Sequence, residues 1–508
     1  MTGITRRDMY WPDKEHFKSL EEKGTLVPVY RELPADLETP VSVFLKISGK
    51  APCFLLESVE KGERMGRYSF IGMNPLLTFE TRGRESVLSG DIKSRLPLRA
   101  GEDPLHQLQS LLSRYTVAAQ PGTPRLFGGA VGYLSYDMVR YFETLPAPGR
   151  DELYLPECAF LLTDTLVIFD HVQQTMKVVS HARGGSPSAY QEARDKIESI
   201  IASLNKALEV EPLGSAPTVE KGITSGLASN MTAAEFKERV LVAKEYIAAG
   251  DAFQVVLSQR LRRQTEARPF SIYRTLRMIN PSPYMFYLDF GGFQLIGSSP
   301  EMLVKLEDGT AFTRPIAGTR PRGASDEEDK ALSSELLADP KERAEHIMLV
   351  DLGRNDLGRV CRPGSVKVPL LMEIEKYSHV LHIVSSVEGK LRAGEDAFSL
   401  LRAGFPAGTV TGAPKIRAME IINELEQLKR GPYAGAVGHF SFNGNMDTCI
   451  TIRTIVKIGN TVYYQGGAGI VADSVPQREY EESLKKIEVL ENAVRLAETR
   501  VESRVKQA

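Results

Sequence analysis

The run from Phe405 to Leu425, FPAGTVTGAPKIRAMEIINEL, constrains the fold of this chain more than any other stretch. It predicts a tight turn that opens directly into a helix, because Pro414 suits a first helical position and apolar residues follow at helical spacing. These residues are Ile416, Met419, Ile422 and Leu425. The glycines and threonines ahead of the helix would aim unpaired N–H groups and hydroxyls at an anion. No P-loop signature follows, so a carboxylate fits better than a nucleotide phosphate; a plain turn between packed elements is the alternative.

Composition excludes several classes of function. The chain has 508 residues, 42% of them hydrophobic, and can bury more than one core, while its net charge of −2 gives no footprint for nucleic acid or an anionic membrane. It contains no run of about 20 apolar residues and begins with no apolar signal core. Its four cysteines form no CxxC pair and no zinc spacing. We therefore expect a cytoplasmic protein with buried thiols and no membrane span.

Changes in sequence pattern divide the chain into two parts. Residues 25–205 carry short β-like runs broken by Gly and Pro, and 206–231 are rich in Pro, Gly, Ser and Thr, as expected of a linker. A capping box at Thr232 and Glu235 opens the second part, which we place at 232–500. One internal echo joins the parts, since GGAVGYLSY (128–136) resembles AGAVGHFSF (434–442). Nine residues leave open whether this echo is a duplicated unit or chance.

The segment after Gly435 predicts an antiparallel meander. A strand ends at Phe442, a second runs from Thr448 to Ile458, and a third from Val462 to Gln465, with Asn-Gly and Gly-Asn turns between them. Together with the interspersed helices, this pattern favours an α+β fold over a doubly wound sheet. The run 466–469 after the third strand would form a second glycine turn with amides free for an anion.

Two predicted helices each carry a pair of glutamates three residues apart, Glu342 and Glu345 after Asp339-Pro340, and Glu479 and Glu482 after Pro476. Residues at this spacing share one helix face. Four converging carboxylates would repel, so a hard divalent cation such as Mg²⁺ is the natural companion. The alternative is that acidic residues occupy a first turn because the helix dipole favours them there.

Two further side chains could carry chemistry. Arg453 is predicted on the central strand of the meander, where a half-buried guanidinium needs an internal carboxylate or a substrate anion. His382 is predicted on a strand over Val380–Val387, and a lone histidine in such a place is more often a satisfied core residue than a proton carrier.

Taken together, several long motifs resemble the family of chorismate-utilising enzymes, and most closely anthranilate synthase component I, the large subunit. The strong part of the resemblance spans residues 230–490, and it extends into the N-terminal part through LLES and RYSFIG. The motifs, in order, are PIAGTRPRG, KERAEHIMLVDLGRNDLGRV, HIVSSVEG, FPAGTVTGAPK, GAVGHFSF, TIRT and GGAGIVADS. The resemblance implies two antiparallel β-sheets packed as a sandwich with flanking helices and a cleft for chorismate. It also assigns a regulatory role to the part at 25–205.

The resemblance also implies roles for individual residues. Glu345 and Glu482 resemble direct Mg²⁺ ligands, and Glu342 and Glu479 resemble residues that hold the metal's waters. The residues that resemble contacts to chorismate are Gly318, Thr319, Thr409, Tyr433, Arg453, Gly467, Ala468, Gly469 and Lys486. His382 matches the family histidine tied to loss of pyruvate. Ser58, Pro283, Tyr284 and Met285 resemble contacts of a tryptophan feedback pocket.

Ala317 separates the possible activities within this family. Relatives that add water to chorismate, or that make aminodeoxychorismate, resemble PIKGT here and use the lysine as a base or nucleophile. Ammonia brings its own lone pair, so a small residue implies attack by ammonia, then loss of pyruvate to give anthranilate. A synthase that stops at aminodeoxyisochorismate and an aminodeoxychorismate synthase are the rival enzymes. A catalytically silent tryptophan-binding subunit is the non-enzyme alternative.

The chain lacks the neighbours of a class I glutaminase cysteine, so the resemblance implies that a separate glutamine amidotransferase subunit supplies ammonia. We expect a heterotetramer of the two subunits, inhibited by tryptophan.

Overall fold

The computed structural model describes residues 10–22, 25–49, 51–58, 66–118, 124–208, 226–377 and 380–505, with side chains as far as residue 499. Within this part of the chain no helix combines the length and apolarity needed to cross a membrane. All four cysteines are buried and free, as expected.

The N-terminal part contributes twelve of the described strands. They are β1 Tyr10–Trp11, β2 Thr25–Pro34, β3 Cys53–Glu57, β4 Tyr68–Met73, β5 Leu77–Arg82, β6 Glu85–Gly90, β7 Ser94–Pro97, β8 Thr116–Val117, β9 Gly129–Leu134, β10 Cys158–Thr163, β11 Thr165–Asp170 and β12 Thr175–Arg183.

The C-terminal part contributes the remaining described strands. They are β13 Ala228–Ser229, β14 Gln254–Gln264, β15 Tyr284–Asp289, β16 Phe293–Ser299, β17 Met302–Glu307, β18 Thr310–Thr313, β19 Ile316–Pro321, β20 Lys367–Lys376, β21 Val380–Lys390, β22 Gly412–Ala413, β23 Ala436–Ser441, β24 Met446–Ile450, β25 Thr454–Ile458 and β26 Thr461–Ile470.

The helices lie between these strands. They are α1 Lys14–Leu20, α2 Pro40–Ile47, α3 Pro104–Leu112, α4 Ala189–Leu204, α5 Ala233–Ala248, α6 Pro269–Ile279, α7 Asp326–Ala338, α8 Pro340–Gly358, α9 Ala397–Gly404, α10 Lys415–Glu426 and α11 Pro476–Val505. Two 3₁₀ turns are formed by Tyr136–Tyr141 and Gly408–Val410.

The strands form two sheets that each take strands from both parts of the chain. Sheet 1 has the order β1-β2-β12-β11-β4-β3-β15-β16-β25-β26-β14-β13, with β8 beside β2 and β22 beside β14. Sheet 2 has the order β19-β21-β18-β17-β24-β23-β9-β10-β5-β6-β7, with β20 beside β21. The pairing is antiparallel except where β8 runs parallel to β2.

The two sheets pack face to face with helices outside. One core cluster lies between them and joins side chains of sheet 1, such as Phe54 and Phe286, to side chains of sheet 2, such as Tyr133 and Val437. A second cluster packs α2, α4, α6 and α11 on the outer face of sheet 1, and a third packs α3, α8 and α9 on sheet 2. The predicted α+β sandwich is confirmed.

The predicted meander after Gly435 is wrong. β23 and β24 pair in sheet 2, whereas β25 and β26 pair in sheet 1, so the chain crosses between the sheets at residues 451–453. Arg453 therefore lies at a crossing, with φ of +51°, and not within a strand. The run 466–469 is not a turn either, because β26 continues through it to Ile470.

The helix after the Phe405 turn begins one residue later than predicted, since Pro414 is the residue before the first turn of α10. Met419, Ile422 and Leu425 are buried as expected, but Ile416 is 45% exposed. Lys415 does not face an anion site, because its Nζ donates to Asp356 Oδ2 of α8 at 2.9 Å.

The sequence echo at 128–136 and 434–442 marks neighbouring strands. β9 and β23 pair antiparallel with Gly132 opposite Gly438, and each glycine holds the same place in its copy of the motif. Of the predicted linker, 209–225 lie outside the described residues, and β13 near its end pairs with β14. The two parts thus share both sheets.

Candidate active site

The two predicted glutamate pairs face each other. The Asp339 carboxylate caps α8 by accepting from two N–H groups of its first turn, and α11 starts at Pro476. Burial raises the pKa of Glu345, and the charges of Glu342 and Glu482 raise that pKa further. Because Glu482 belongs to α11, the carboxylates of the two helices act on one another.

The carboxylates fit a hard cation in their chemistry. Among the described residues no three acidic, histidine or cysteine side chains are grouped closely enough to hold a metal ion as they stand. Glu342 accepts a hydrogen bond from Arg320 at 3.3 Å, Glu345 from Gln254 at 3.3 Å and Glu482 from Lys486 at 2.6 Å. Burial, and then the charge of Glu482, raises the pKa of Glu479. Repelling carboxylates on two rigid helices are a donor set that suits Mg²⁺, which binds one or two directly and reaches others through water.

His382 lies on β21, opposite Thr319 of β19. Its Nδ1 is 3.0 Å from the Gly318 carbonyl and 3.1 Å from Thr319 Oγ1. Because a carbonyl only accepts, Nδ1 carries the proton and Nε2 keeps a lone pair. Burial lowers the pKa of His382 from its usual value, so the ring is neutral at pH 7.

Gly318 connects the histidine to the acidic group. Its φ is +71°, and a side chain there would place a Cβ 3.2 Å from Glu342 Oε2. A residue with a side chain would therefore strain the backbone and press on the carboxylate.

Arg453 enters the site from the crossing between the sheets. Burial lowers the pKa of its guanidinium, while the nearby Tyr433, Glu482 and Glu301 partly restore it. Among the described residues no carboxylate forms an ion pair with Arg453, and no side-chain hydrogen bond holds it. A half-buried guanidinium without an ion pair is suited to bind an anion.

β26 offers main-chain amides along an open edge. On β14, Ser258 lies opposite Gly467 and Val256 lies opposite Gly469. The Ser258 N–H donates to Glu426 and the Val256 N–H donates to the Thr411 carbonyl, so both point away from β26. In antiparallel pairs of this kind both N–H groups face outward, so the amides of Gly467 and Gly469 face away from β14. The Ala468 amide, one residue out of phase, faces β14.

Tyr433 and Lys486 border this open edge. Lys486 Nζ donates to the Gly467 carbonyl at 2.8 Å, and a Cβ on Gly467 would lie 2.9 Å from the Tyr433 hydroxyl and 2.5 Å from the Leu257 carbonyl. Burial raises the pKa of Tyr433 to about 12, which keeps the phenol a hydrogen-bond donor.

Thr409 lies on the 3₁₀ turn before β22, next to Glu301. Its hydroxyl oxygen is buried and has no hydrogen-bond partner within 3.5 Å among the described residues. Burial raises the pKa of Glu301 to about 8, against the influence of Thr409, Arg453 and Lys486, which lower it. The Glu301 carboxyl is thus mostly protonated at pH 7, between a hydroxyl and two cations.

The sequence matches a protein-family model over most of its length. The model of the chorismate binding enzyme family matches residues 51–492. The chain belongs to this family.

Relatives support this membership over nearly the full length. Anthranilate synthase component 1 of Acetivibrio thermocellus is 48% identical over 96% of this chain and 99% of its own, and that of Aquifex aeolicus is 48% identical over 95% and 98%. The crystal structure of anthranilate synthase component I from Streptococcus pneumoniae matches with a TM-score of 0.75 at 34% identity, covering 90% of this chain and 98% of that one. The menaquinone-specific isochorismate synthase of Escherichia coli, at 20% identity and TM-score 0.68, shares the fold.

Within this family member, the residues predicted for an inhibitor lie on two neighbouring strands or directly beside them. β3 pairs with β15 with Glu57 opposite Met285, which brings the following Ser58 to the level of Tyr284. Tyr284 faces the space between the sheets and donates from its hydroxyl to Asp447 Oδ1 at 3.0 Å. Met285 packs on the opposite face of the strand, and Pro283 is buried.

Two residues of the site were not found from the sequence, Glu301 and Gln254. Gln254 Nε2 donates to Glu345, and its Oε1 is buried without a partner among the described residues. Neither residue stands in a spacing that signals chemistry, because each depends on neighbours brought from distant strands.

Proposed function

We propose that this enzyme converts chorismate and ammonia to anthranilate and pyruvate in tryptophan biosynthesis. The observation that carries the proposal is the half-buried Arg453, which has no ion pair among the described residues and is near Tyr433, Glu301 and Glu482 of α11. Chorismate has two carboxylates, which such a site can bind at separate points. The names of the relatives at 44–48% identity agree with this reaction.

Substrate binding divides between two regions in this proposal. Arg453, the Tyr433 hydroxyl and the amides of Gly467 and Gly469 bind one carboxylate, with Thr409 and Lys486 beside them. The ring carboxylate faces the four glutamates, where Mg²⁺ would be held directly by Glu345 and Glu482 and through water by Glu342 and Glu479. The ion would supply positive charge that orients this carboxylate and offsets the negative charge that develops on it.

Glu301 serves as the acid for the first step. Attack of ammonia at C2 of the ring displaces the hydroxyl at C4, which must leave as water. A carboxyl that is protonated near pH 7 can donate that proton and is then stabilised as an anion by Arg453 and Lys486. The raised pKa of Glu301 is therefore matched to its role.

Gln254 and Ala317 suit a neutral amine as nucleophile. The free Oε1 of Gln254 is an acceptor, so it can bind an N–H group of ammonia and cannot activate water as a base. Ala317, half-buried on β19 opposite Ile383, places no amine of its own near the ring.

His382 acts in the second step. Loss of pyruvate needs removal of the proton at C2, and in this proposal Nε2 of the neutral ring accepts that proton while Gly318 and Thr319 hold Nδ1. Aromatisation of the ring then drives the elimination.

Ammonia comes from a separate glutamine amidotransferase subunit, and two copies of each subunit form a heterotetramer in the cytoplasm. Tryptophan inhibits the enzyme by binding where Ser58 and Tyr284 meet, at the edge between β3 and β15. The name component 1 of the relatives agrees with a second component.

One assay tests the reaction. The purified chain is incubated with chorismate and ammonium at pH 8.5, with Mg²⁺ or with EDTA, and anthranilate is followed by its fluorescence. We expect product with Mg²⁺, none with EDTA, and inhibition by tryptophan. Accumulation of an amino-substituted intermediate without pyruvate release would instead identify an aminodeoxyisochorismate synthase. No consumption of chorismate would refute enzymatic activity of the isolated chain.

A further inference from the structure

Arg430 is a fully buried arginine that follows shortly after α10. Its guanidinium forms two hydrogen bonds with the carboxylate of Glu426, the last residue of that helix, at 2.8 and 2.6 Å. Moving both charges out of water costs energy, and replacement of such a pair by apolar side chains is often neutral or stabilising. Stability of the fold alone therefore gives no reason for an arginine at this position.

The same guanidinium binds the main chain of two segments that border the site. Its Nη1 donates to the Val410 carbonyl at 2.7 Å, and its Nη2 donates to the Val256 carbonyl of β14 at 2.8 Å. Val410 directly follows Thr409 on the 3₁₀ turn, and Val256 lies opposite Gly469 of β26. Two of the hydrogen bonds of Arg430 thus fix main chain next to proposed chorismate contacts.

Aromatic rings from both parts of the chain also pack on the Arg430 guanidinium. Its central carbon lies 5.7 Å from the centre of the Tyr433 ring and 4.7 Å from that of the Tyr136 ring. Tyr433 is the phenol proposed to bind a substrate carboxylate, whereas Tyr136 is the last residue of the sequence echo at 128–136. The Tyr136 N–H donates to the Gly431 carbonyl at 2.8 Å. The segment that carries Arg430 and Tyr433 is therefore held from the N-terminal part as well as from α10.

We propose that Arg430 is a positioning residue for chorismate binding, which fixes Tyr433 and the turn at Thr409 in the orientation that contacts the substrate carboxylate. This inference rests on the proposed function, because it concerns the chorismate contacts named there. A planar guanidinium can bind the Glu426 carboxylate through two nitrogens, reach two carbonyls and pack on a ring at the same time. The ammonium of a lysine would keep the charge beside Glu426 but lose this geometry.

Arg263 of β14 provides a matched control. Its guanidinium binds Glu491 at 3.0 Å and Glu498 at 2.9 Å, both on α11, and the Glu491 side chain is fully buried. Replacement of either arginine by lysine keeps the charge and removes the planar fork beside a buried carboxylate. Of the two changes, only Arg430→Lys alters the contacts of Val410 and Tyr433.

Binding and turnover together separate a positioning role from a merely structural one. Chorismate is titrated by calorimetry with Mg²⁺ and without ammonium, so that no amine is present to react, and anthranilate formation is then measured with ammonium. In Arg430→Lys the Kd and KM for chorismate should rise by about 10- to 100-fold, as for contacts displaced by about 1 Å, while kcat stays within about threefold. The Mg²⁺ concentration needed for half-maximal activity should not change. Loss of folded protein alone would instead lower kcat and leave KM unchanged.

In Arg263→Lys the Kd and KM for chorismate should equal those of the unsubstituted protein, even if the melting temperature falls as far as in Arg430→Lys. A second variant, Glu426→Gln/Arg430→Met, leaves no unpaired buried charge, and its glutamine keeps an acceptor for the Ser258 N–H. It should raise the Kd at least as much as Arg430→Lys does.

Unchanged chorismate affinity in either Arg430 variant would overturn the inference and leave the proposed function standing. Loss of the fold in both variants would assign Arg430 to stability and would overturn the inference as well. Absence of chorismate binding to the unsubstituted protein would overturn the proposed function and the inference with it.

Discussion

The two parts of this chain repeat one arrangement of strands and helices. Sheet 1 has the same order from either edge, since β1-β2-β12-β11-β4-β3 of the N-terminal part is mirrored by β13-β14-β26-β25-β16-β15 of the C-terminal part. Sheet 2 is mirrored about β9 and β23 as far as β7 and β21, while β19 and β20, which both pair with β21, have no counterpart among the described strands. The helices follow, with α1, α2, α3 and α4 in the places of α5, α6, α9 and α11. The chain is thus built from two copies of one frame.

Side chains at the contact between the copies are also reciprocal. Asp103 caps α3 and Asp396 caps α9. Arg402, six residues after the second cap, binds Asp103, and Gln109, six residues after the first, donates to Asp396. Such an exchange is what a two-fold relation between two copies requires.

The copies differ most where the chain crosses between the sheets. In the N-terminal copy Asp164 immediately precedes β11, and its Oδ2 accepts from Lys196 Nζ at 2.9 Å, so this crossing is closed by an internal ion pair. In the C-terminal copy Arg453 immediately precedes β25 and has no such partner among the described residues. The same frame therefore gives an ion-paired corner in one copy and, in the other, a guanidinium that has no ion pair among the described residues.

The C-terminal copy also carries additions without a counterpart in the first. These are β19, α7, α8 and β20, which lie between β18 and β21, and the 3₁₀ turn and α10, which lie on either side of β22 between α9 and β23. They supply Glu342, Glu345 and Thr409. The comparison teaches that the repeated frame supplies part of the candidate site, from β14, β26 and α11, and that the added segments and one exchanged charge complete it in the C-terminal copy alone.

The largest expected difference between the copies is in catalytic activity after replacement of the residue at each crossing between the sheets. Arg453→Ala should lower kcat/KM for chorismate by about 30- to 4,000-fold, the equivalent of about 2–5 kcal/mol for loss of one partner of a buried charge pair. Asp164→Ala should keep kcat/KM within about twofold and lower only the melting temperature, because it leaves a lysine that can reach solvent. Equal losses of activity in the two variants would contradict the division of roles.

Replacement of an added carboxylate tests the same division from the α8 side. Glu345→Gln should lower turnover by about 100-fold or more and raise the Mg²⁺ concentration needed for half-maximal activity, because it removes a proposed direct ligand. The control is Glu481→Gln, an exposed neighbour of Glu482 on α11. Normal turnover with an unchanged Mg²⁺ requirement in Glu345→Gln would remove the metal from this place.

The pH dependence tests the role of Glu301. Because burial raises the pKa of Glu301 to about 8, the acid form is lost as pH rises through that value. With the concentration of free NH₃ held constant, kcat/KM should be level below about pH 8 and fall by about tenfold per pH unit above it. In Glu301→Gln this limb should disappear and the rate should drop by about 10²- to 10⁴-fold. A limb that persists in the variant would have to arise from another group.

Local sequence signals predicted the helices that border the site better than the residues at its centre. Asp339-Pro340 and Pro476 gave the starts of α8 and α11, and with them the facing glutamates, because caps and spacing act within one turn. The sequence predicted a single strand here, because alternate positions are held by Cys449, Thr451, Arg453 and Ile455. Nothing in the local sequence marks where the chain changes sheets. The glycines of β26 read as a turn although they are needed for close approach of Tyr433 and of the β14 backbone.

The smallest effect tests the reciprocal caps. Asp103→Ala and Asp396→Ala each remove a helix N-cap, which costs about 1 kcal/mol. Asp103→Ala also strands the Arg402 guanidinium, which is only 21% exposed, whereas Asp396→Ala strands a neutral amide, so the first should cost about 1–2 kcal/mol more. Urea unfolding measures both, and anthranilate formation should be unchanged because neither residue approaches the site. Equal costs would mean that the ion pair adds nothing to the symmetric contact, and a larger cost for Asp396→Ala would contradict the assigned bonds.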